Sequence, residues 1–233
     1  MLRYLAQYGS NGLSDYLIFF LLSLPIIFLS LSLHETAHGF IASKLGDPTA
    51  KNLGRLTLNP AKHLDPIGFL CMALAGFGWA KPVPINSRNF KKPRRDIALT
   101  SLAGPVSNLL LALVFAIILR LAYVPLTKMI YSAAMINGDV SARIAFYVYV
   151  FLQLAIQLNI TLAAFNLLPI PPLDGSKILY MLLPPKVYFK IAPYERYISL
   201  ALMLLLVTGI LSPLLETVTG YIEYGIYFIV GLL

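Results

Sequence analysis

Residues 31–45, LSLHETAHGFIASKL, hold three side chains whose types and spacing suit hydrolysis at a metal ion. On an α-helix His34 and His38 stand one turn apart on the same face, so both imidazoles can reach one ion, while Glu35 projects beside them. A helical HExxH is therefore a zinc site with a general base attached. Its context sharpens the reading. Residues 16–33, YLIFFLLSLPIIFLSLSL, contain no charged side chain, so the motif ends an apolar run at membrane depth. Ionisable groups there are costly in lipid and are kept for function.

Catalytic zinc takes three protein ligands and leaves a fourth position for water. The helix supplies two, and the candidates for the third are Asp174, His63, Cys71, Asp65 and Asp139. Asp139 is expected on the opposite side of the membrane. His63 and Asp65 sit in NPAKHLDP, where a turn-forming role competes with chemistry. Cys71, the lone cysteine, reads as a small apolar filler and excludes both a disulfide framework and a Cys-rich zinc cluster. Asp174 lies in the run NLLPIPPLDG, whose three closely spaced prolines unwind the backbone. Unwound backbone at membrane depth is tolerated where it is buried in protein or lines a polar cavity, which sets Asp174 at the level of the histidines.

These side chains need a membrane scaffold, and composition supplies one. The 233 residues are 58% hydrophobic and 12% charged, with a mean hydropathy of +0.77, where a soluble domain carries about a quarter charged residues. The expected fold class is an all-α polytopic membrane protein, one membrane-embedded domain over 1–233 with about four transmembrane helices. Spans are expected at Ser14 to about Leu45 with a kink at Pro25, then at 97–119, 144–168 and 197–215. Ser14 and Asp15 would cap the first helix, and Gly46-Asp47-Pro48 would stop it. An outer loop is expected over 120–143, a short helix over 176–183, and an interfacial tail over 221–233. Asn108, within the second span, must find a hydrogen-bond partner, either another helix or the metal site.

The segment between the first two spans is irregular. Its apolar stretch PIGFLCMALAGFGWA is only 15 residues long and suits a re-entrant or interfacial segment. KPVPIN reads as a β-like edge that an extended substrate could join by strand addition. Residues 44–95 hold ten Lys and Arg against two Asp, which equals the net charge of the whole chain, +8. The positive-inside rule sets this loop in the cytoplasm, the active site toward that side and the N-terminus outside. The charges are scattered, without a basic helix or stacking aromatics, so the expected partner is the lipid bilayer and no nucleic acid.

HETAH at 34–38, LNPAKHLDPIG at 58–68, GPVSN at 104–108 and NLLPIPPLDG at 166–175 together resemble the signature set of the site-2 protease family of intramembrane zinc metalloproteases. The resemblance covers roughly residues 14–215. It implies one Zn2+ per chain held by His34, His38 and Asp174, Glu35 as catalytic base, and Asn166 assisting near the reacting carbonyl. It also implies a bacterial cell-membrane location and a transmembrane protein or peptide substrate, cut near the cytoplasmic face. Membrane-anchored regulators and leftover signal peptides are the substrate classes implied. The chain has no room for the PDZ or CBS domains of longer members. Two other classes fit part of the pattern. A metal-ion transporter would use the same ligands but gives Glu35 no task and needs a second intramembrane acidic cluster. A non-catalytic membrane scaffold has no need of a base beside the ligands.

Overall fold

A computed structural model describes residues 2–75, 78–131 and 140–232. Helix α1, Leu2–Lys44, carries the HExxH and runs on through Pro25. It starts earlier than expected, with Ser14 and Asp15 inside it. A cap works only where the chain leaves helical geometry, and Gly9 and Gly12 cost about 1 kcal/mol each, which a cooperative helix can absorb. The stop falls where expected: Gly46 takes φ +111°, and the Asp47 N–H turns back to the Ala42 carbonyl at 2.9 Å.

The loop that follows folds as short pieces: α2, Thr49–Asn52, a 3-10 turn at Pro60–Lys62, α3, Pro66–Ala75, and a second 3-10 turn at Ser87–Asn89. At 10 residues α3 is about 15 Å long, half a hydrocarbon thickness, in keeping with a re-entrant or interfacial piece. The β-like expectation is corrected. Among the described residues there is no strand, only an isolated antiparallel bridge between Leu64 and Ala80, and 81–86 is irregular. Pro82 and Pro84 have no N–H to give a ladder, and the Val83 N–H is used elsewhere, by Glu35.

Helix α4, Pro93–Ile130, is far longer than the expected 97–119. Pro93 suits the first turn, and the Asp96 carboxylate accepts from the Lys92 N–H at 2.9 Å, capping the helix. Residues 120–130, expected as outer loop, continue it through Pro125, while 132–139 lie outside the described residues. Helix α5 is Val140–Asn166, and α6, Asp174–Leu182, follows the proline-rich break, in which the Pro171–Pro172 bond is cis. Helices α7, Pro185–Ile191, and α8, Glu195–Thr208, come next. The span expected at 197–215 is interrupted, because Gly209 takes φ +76° and ends α8 after 14 residues. Helix α9, Ser212–Val230, then absorbs most of the expected interfacial tail.

Among the described residues three helices are long and apolar enough to cross a membrane: Leu17–Lys44, Pro93–Ile130 and Val140–Asn166. The fold is all-α and polytopic as expected, with a span count near the four anticipated. Helix α4 is the hub, packed on α5, α1 and α6. Ala112, Ala116 and Leu119 of α4 meet Leu152, Ile156 and Ile160 of α5 and Ile226 of α9 in an apolar core. The outward faces are equally apolar: Leu21, Leu110, Val114 and Leu121 are exposed, the pattern of a surface solvated by lipid.

Candidate active site

The C-terminal part of α1 sets His34, Glu35 and His38 against α4, and all three are buried. Asp174, the first residue of α6, reaches the same point. Its Oδ2 lies 3.2 Å from His34 Nε2 and 3.1 Å from His38 Nε2. One ligand atom from each of the three residues falls within 4.8 Å of the others. The rings stand edge to face with centroids 4.6 Å apart, so both Nε2 atoms converge.

The other ring nitrogens decide the tautomers. His38 Nδ1 lies 2.7 Å from the Thr100 carbonyl, which can only accept, so Nδ1 carries the proton and Nε2 presents its lone pair. His34 Nδ1 lies 2.5 Å from Asn108 Oδ1, another acceptor, with the same result. Two neutral imidazoles and a carboxylate, each with an oriented lone pair, make a catalytic zinc donor set.

Two glycines make the approach possible. A Cβ on Gly104 would stand 2.5 Å from both His34 Nε2 and His38 Nε2, so only glycine leaves the ligand atoms free on the α4 side. A Cβ on Gly175 would collide with the Leu167 and Leu168 carbonyls, so glycine lets the start of α6 lie against the end of α5. Lys177 Nζ reaches the remaining Asp174 oxygen, Oδ1, at 3.3 Å from within the first turn of α6.

Glu35 is held separately, its Oε2 accepting the Val83 N–H at 2.7 Å. In the run Pro82-Val83-Pro84 this is the sole N–H, and it is aimed at the carboxylate. The segment is pinned further along by Asp47, which is fully buried and accepts from the Asn86 N–H and the Asn89 side-chain amide, each at 2.7 Å. Burial pushes the Asp47 carboxyl up, but hydrogen bonds from the Thr49 hydroxyl, Asn89, Asn86 and the Thr49 N–H outweigh it and hold the group below the usual carboxylate range.

Asn166 Nδ2 donates to the Leu162 carbonyl of its own helix at 2.9 Å. The other third-ligand candidates fall elsewhere. His63 is buried with Nε2 on the Thr57 carbonyl at 2.8 Å, and Asp65 caps α3 through the Gly68 N–H at 2.8 Å. Cys71 is half-buried and free, and Asp139 lies outside the described residues. Sequence reasoning did not anticipate the Thr100 carbonyl, the Val83 N–H or the function of Gly104. Backbone groups carry no residue signature, although the GPVSN run did mark the neighbourhood of Gly104.

The family model for Peptidase family M50 matches residues 22–207, which takes in both histidines, Glu35 and Asp174. The chain belongs to peptidase family M50. Its relatives agree with this assignment. It is 45% identical over 184 residues to the protein named, provisionally, zinc metalloprotease YwhC of Bacillus subtilis (strain 168), covering 78% of each chain. It is 31% identical over 203 residues to the protein named in the same provisional way zinc metalloprotease Rip2 of Mycolicibacterium smegmatis, covering 85% of this chain and 71% of that one. The Rip2 of Mycobacterium tuberculosis (strain H37Rv) is 31% identical over 190 residues, covering 79% and 66%. No solved structure matches the chain. As an M50 peptidase the protein is a membrane metalloprotease of the site-2 type with zinc as its metal, and its convergent donor set fits that ion.

Proposed function

We propose that this M50 peptidase is a single membrane-embedded unit that hydrolyses a peptide bond within or near the transmembrane segment of a membrane-protein substrate, on the cytoplasmic side. His34, His38 and Asp174 hold the zinc, and Glu35 is the base. The observation that carries the reading is the meeting of His34 Nε2, His38 Nε2 and Asp174 Oδ2 at the C-terminal part of α1, one residue from a buried carboxylate. When bound, zinc polarises the scissile carbonyl and lowers the pKa of water toward about 7.

The chain's own groups then do the following. The Glu35 carboxylate takes a proton from the attacking water as oxygen adds to the carbonyl carbon. As the C–N bond breaks, Glu35 returns that proton to the leaving nitrogen, giving an acid and an amine. The Val83 N–H fixes Glu35 Oε2, leaving the other carboxylate oxygen for water. Thr100 and Asn108 keep both imidazoles in the Nδ1–H tautomer, which leaves the Nε2 lone pairs facing the metal position. Asn166, held by one N–H to its own helix at the end of α5, assists near the reacting carbonyl.

The seat for the substrate is an apolar cavity of about 280 Å³ whose walls include Phe28, Leu31 and Ser32 of α1, His63, and Leu162 and Phe165 of α5. Positions 28, 31 and 32 share a helix face with Glu35, so the cavity leads along α1 toward the base. Ser32 Oγ and His63 Nδ1 are buried there with no partner among the described residues and suit the backbone groups of a locally unwound peptide. The positive charge of residues 44–95 favours the cytoplasmic assignment, with the N-terminal end of α1 outside.

Glu35→Gln tests the reading. In proteoliposomes with a membrane-anchored substrate it is expected to retain one zinc per chain and lose cleavage. Cleavage at the wild-type rate removes Glu35 from the mechanism. A cysteine placed at Lys92 is expected to resist impermeant external reagents, and external labelling would reverse the orientation.

A further inference from the structure

Behind the ligands lies a pair of buried amides, of which only Asn108 touches a ligand. Asn108 of α4 and Asn159 of α5 are both fully enclosed, so no water offers their side chains another partner. Asn159 Nδ2 donates to the Ala155 carbonyl one turn back in its own helix, at 2.8 Å. A backbone carbonyl only accepts, so it must face the NH2 end of Asn159. That turns Asn159 Oδ1 toward Asn108, where it accepts from Nδ2 at 2.9 Å. Asn108 is then fixed in turn, with its own Oδ1 presented to His34 Nδ1 at 2.5 Å. Reversing both amides would keep the Asn108–Asn159 bond but set Asn159 Oδ1 against the Ala155 carbonyl, acceptor against acceptor in a dry interior, which costs about 1–3 kcal/mol.

We propose that Asn159 is a positioning residue for the zinc site: it reads the polarity of the Ala155 carbonyl and passes it through Asn108 to His34, fixing His34 as the Nδ1–H tautomer with the Nε2 lone pair facing the metal. His38 has no need of such a relay, because its Nδ1 meets a backbone carbonyl directly. His34 sits deeper along α1, where the nearest acceptor is a side-chain amide that could point either way. Among the described residues the other partner of Asn108 Nδ2 is the Ser30 carbonyl at 3.4 Å, too long to fix the amide strongly. The inference rests on His34 being a zinc ligand but not on the assignment of Glu35 or of the substrate.

The test is zinc binding and ring tautomer in the full-length chain, measured by competition with a chelator and by 15N NMR of histidine-labelled, zinc-depleted protein. With three histidines in the chain, substitution of His63 and of His38 identifies the His34 signals. Wild-type His34 is expected in the Nδ1–H form, and the Nε2–H form overturns the proposal. Asn159→Leu is expected to weaken zinc binding by about tenfold to a hundredfold and to mix the two tautomers. Asn159→Asp, whose carboxyl is neutral at this depth, keeps a donor for Ala155 and an acceptor for Asn108, and is expected to restore both readouts. Unchanged zinc affinity in the leucine variant overturns the relay, and so does failure of the aspartate variant to restore it, which would leave only a packing role. If the leucine variant does not fold, the wild-type spectrum and the aspartate variant decide. Because neither readout is cleavage, failure here leaves the peptidase reading standing.

Discussion

Helices α4 and α5 meet in two zones built by different rules. In one, Ala112, Ala116 and Leu119 face Leu152, Ile156 and Ile160 with no polar atom among the side chains. In the other, Thr100, Gly104 and Asn108 face α1, and Asn108 reaches Asn159 across the interface. Both use small residues to bring backbones close, as membrane helices must when lipid is as apolar as any side chain. The apolar zone gains many small dispersion contacts, each replaceable, so damage there is felt as stability. The polar zone gains a few directed bonds that fix where lone pairs point, so damage there is felt as metal binding and chemistry. One pair of helices thus separates holding together from holding in register.

The sharpest way to break this contrast is one enlarged side chain on each side of it. Gly104→Ala sets a Cβ 2.5 Å from both Nε2 atoms and is expected to abolish zinc binding, by at least about a hundredfold in affinity, while the chain stays membrane-integrated. Ala112→Leu overfills the apolar zone and is expected to cost about 1–3 kcal/mol of stability with one zinc per chain retained. Zinc analysis beside thermal unfolding in detergent reads both. If Ala112→Leu lost zinc as readily as Gly104→Ala, the two zones would not be separable.

The next effect is the contrast between two buried ionisable residues. Asp174→Ala removes the carboxylate that closes the cluster and is expected to reduce bound zinc well below one per chain. His63→Ala empties a wall of the apolar cavity and is expected to leave zinc unchanged. Metal analysis giving the reverse order would move the third ligand to the loop.

A smaller effect isolates a backbone donor. Val83→Pro removes the N–H that holds Glu35 in a segment already framed by prolines, and is expected to slow cleavage about tenfold with zinc retained. Val83→Ala keeps the N–H and is the control for lost packing. Equal rates in the two variants would show that the hydrogen bond does nothing for the base.

These contrasts also explain what was legible beforehand. His34, His38 and Asp174 carry their donor atoms in their side chains, so the HExxH spacing and the proline-broken run before Asp174 pointed to the group that the structure brings together. The all-α membrane class was legible from hydropathy for the same reason. Helix ends were less so: α4 runs eleven residues past its expected end because nothing in RLAYVPLTKMI forces a stop in a helix supported by packing. The β-like edge at KPVPIN failed because alternation was visible but the destination of the Val83 N–H was not. Asn108 was open between a neighbouring helix and the metal site, and the structure gives it both, through one oxygen and one nitrogen.

The smallest expected effect lies outside both zones, where Asp47 ties the end of α1 to the Asn86–Asn89 turn. Its folded-state pKa is depressed, so the stability it contributes is fully present above the unfolded value of about 3.9 and is lost as pH falls toward the folded value. Wild-type protein should therefore lose thermal stability as pH drops below about 4 through this group among others. Asp47→Asn keeps one acceptor oxygen but turns a donor toward the N–H groups of Asn86 or Thr49, and is expected to cost about 1–2 kcal/mol at pH 7 and less as the wild type protonates. Unfolding temperatures of the two proteins across pH 3–7 should converge at the acid end. Curves that stay parallel would mean that Asp47 acts by shape alone, and that the Val83 segment is pinned by its prolines rather than by charge.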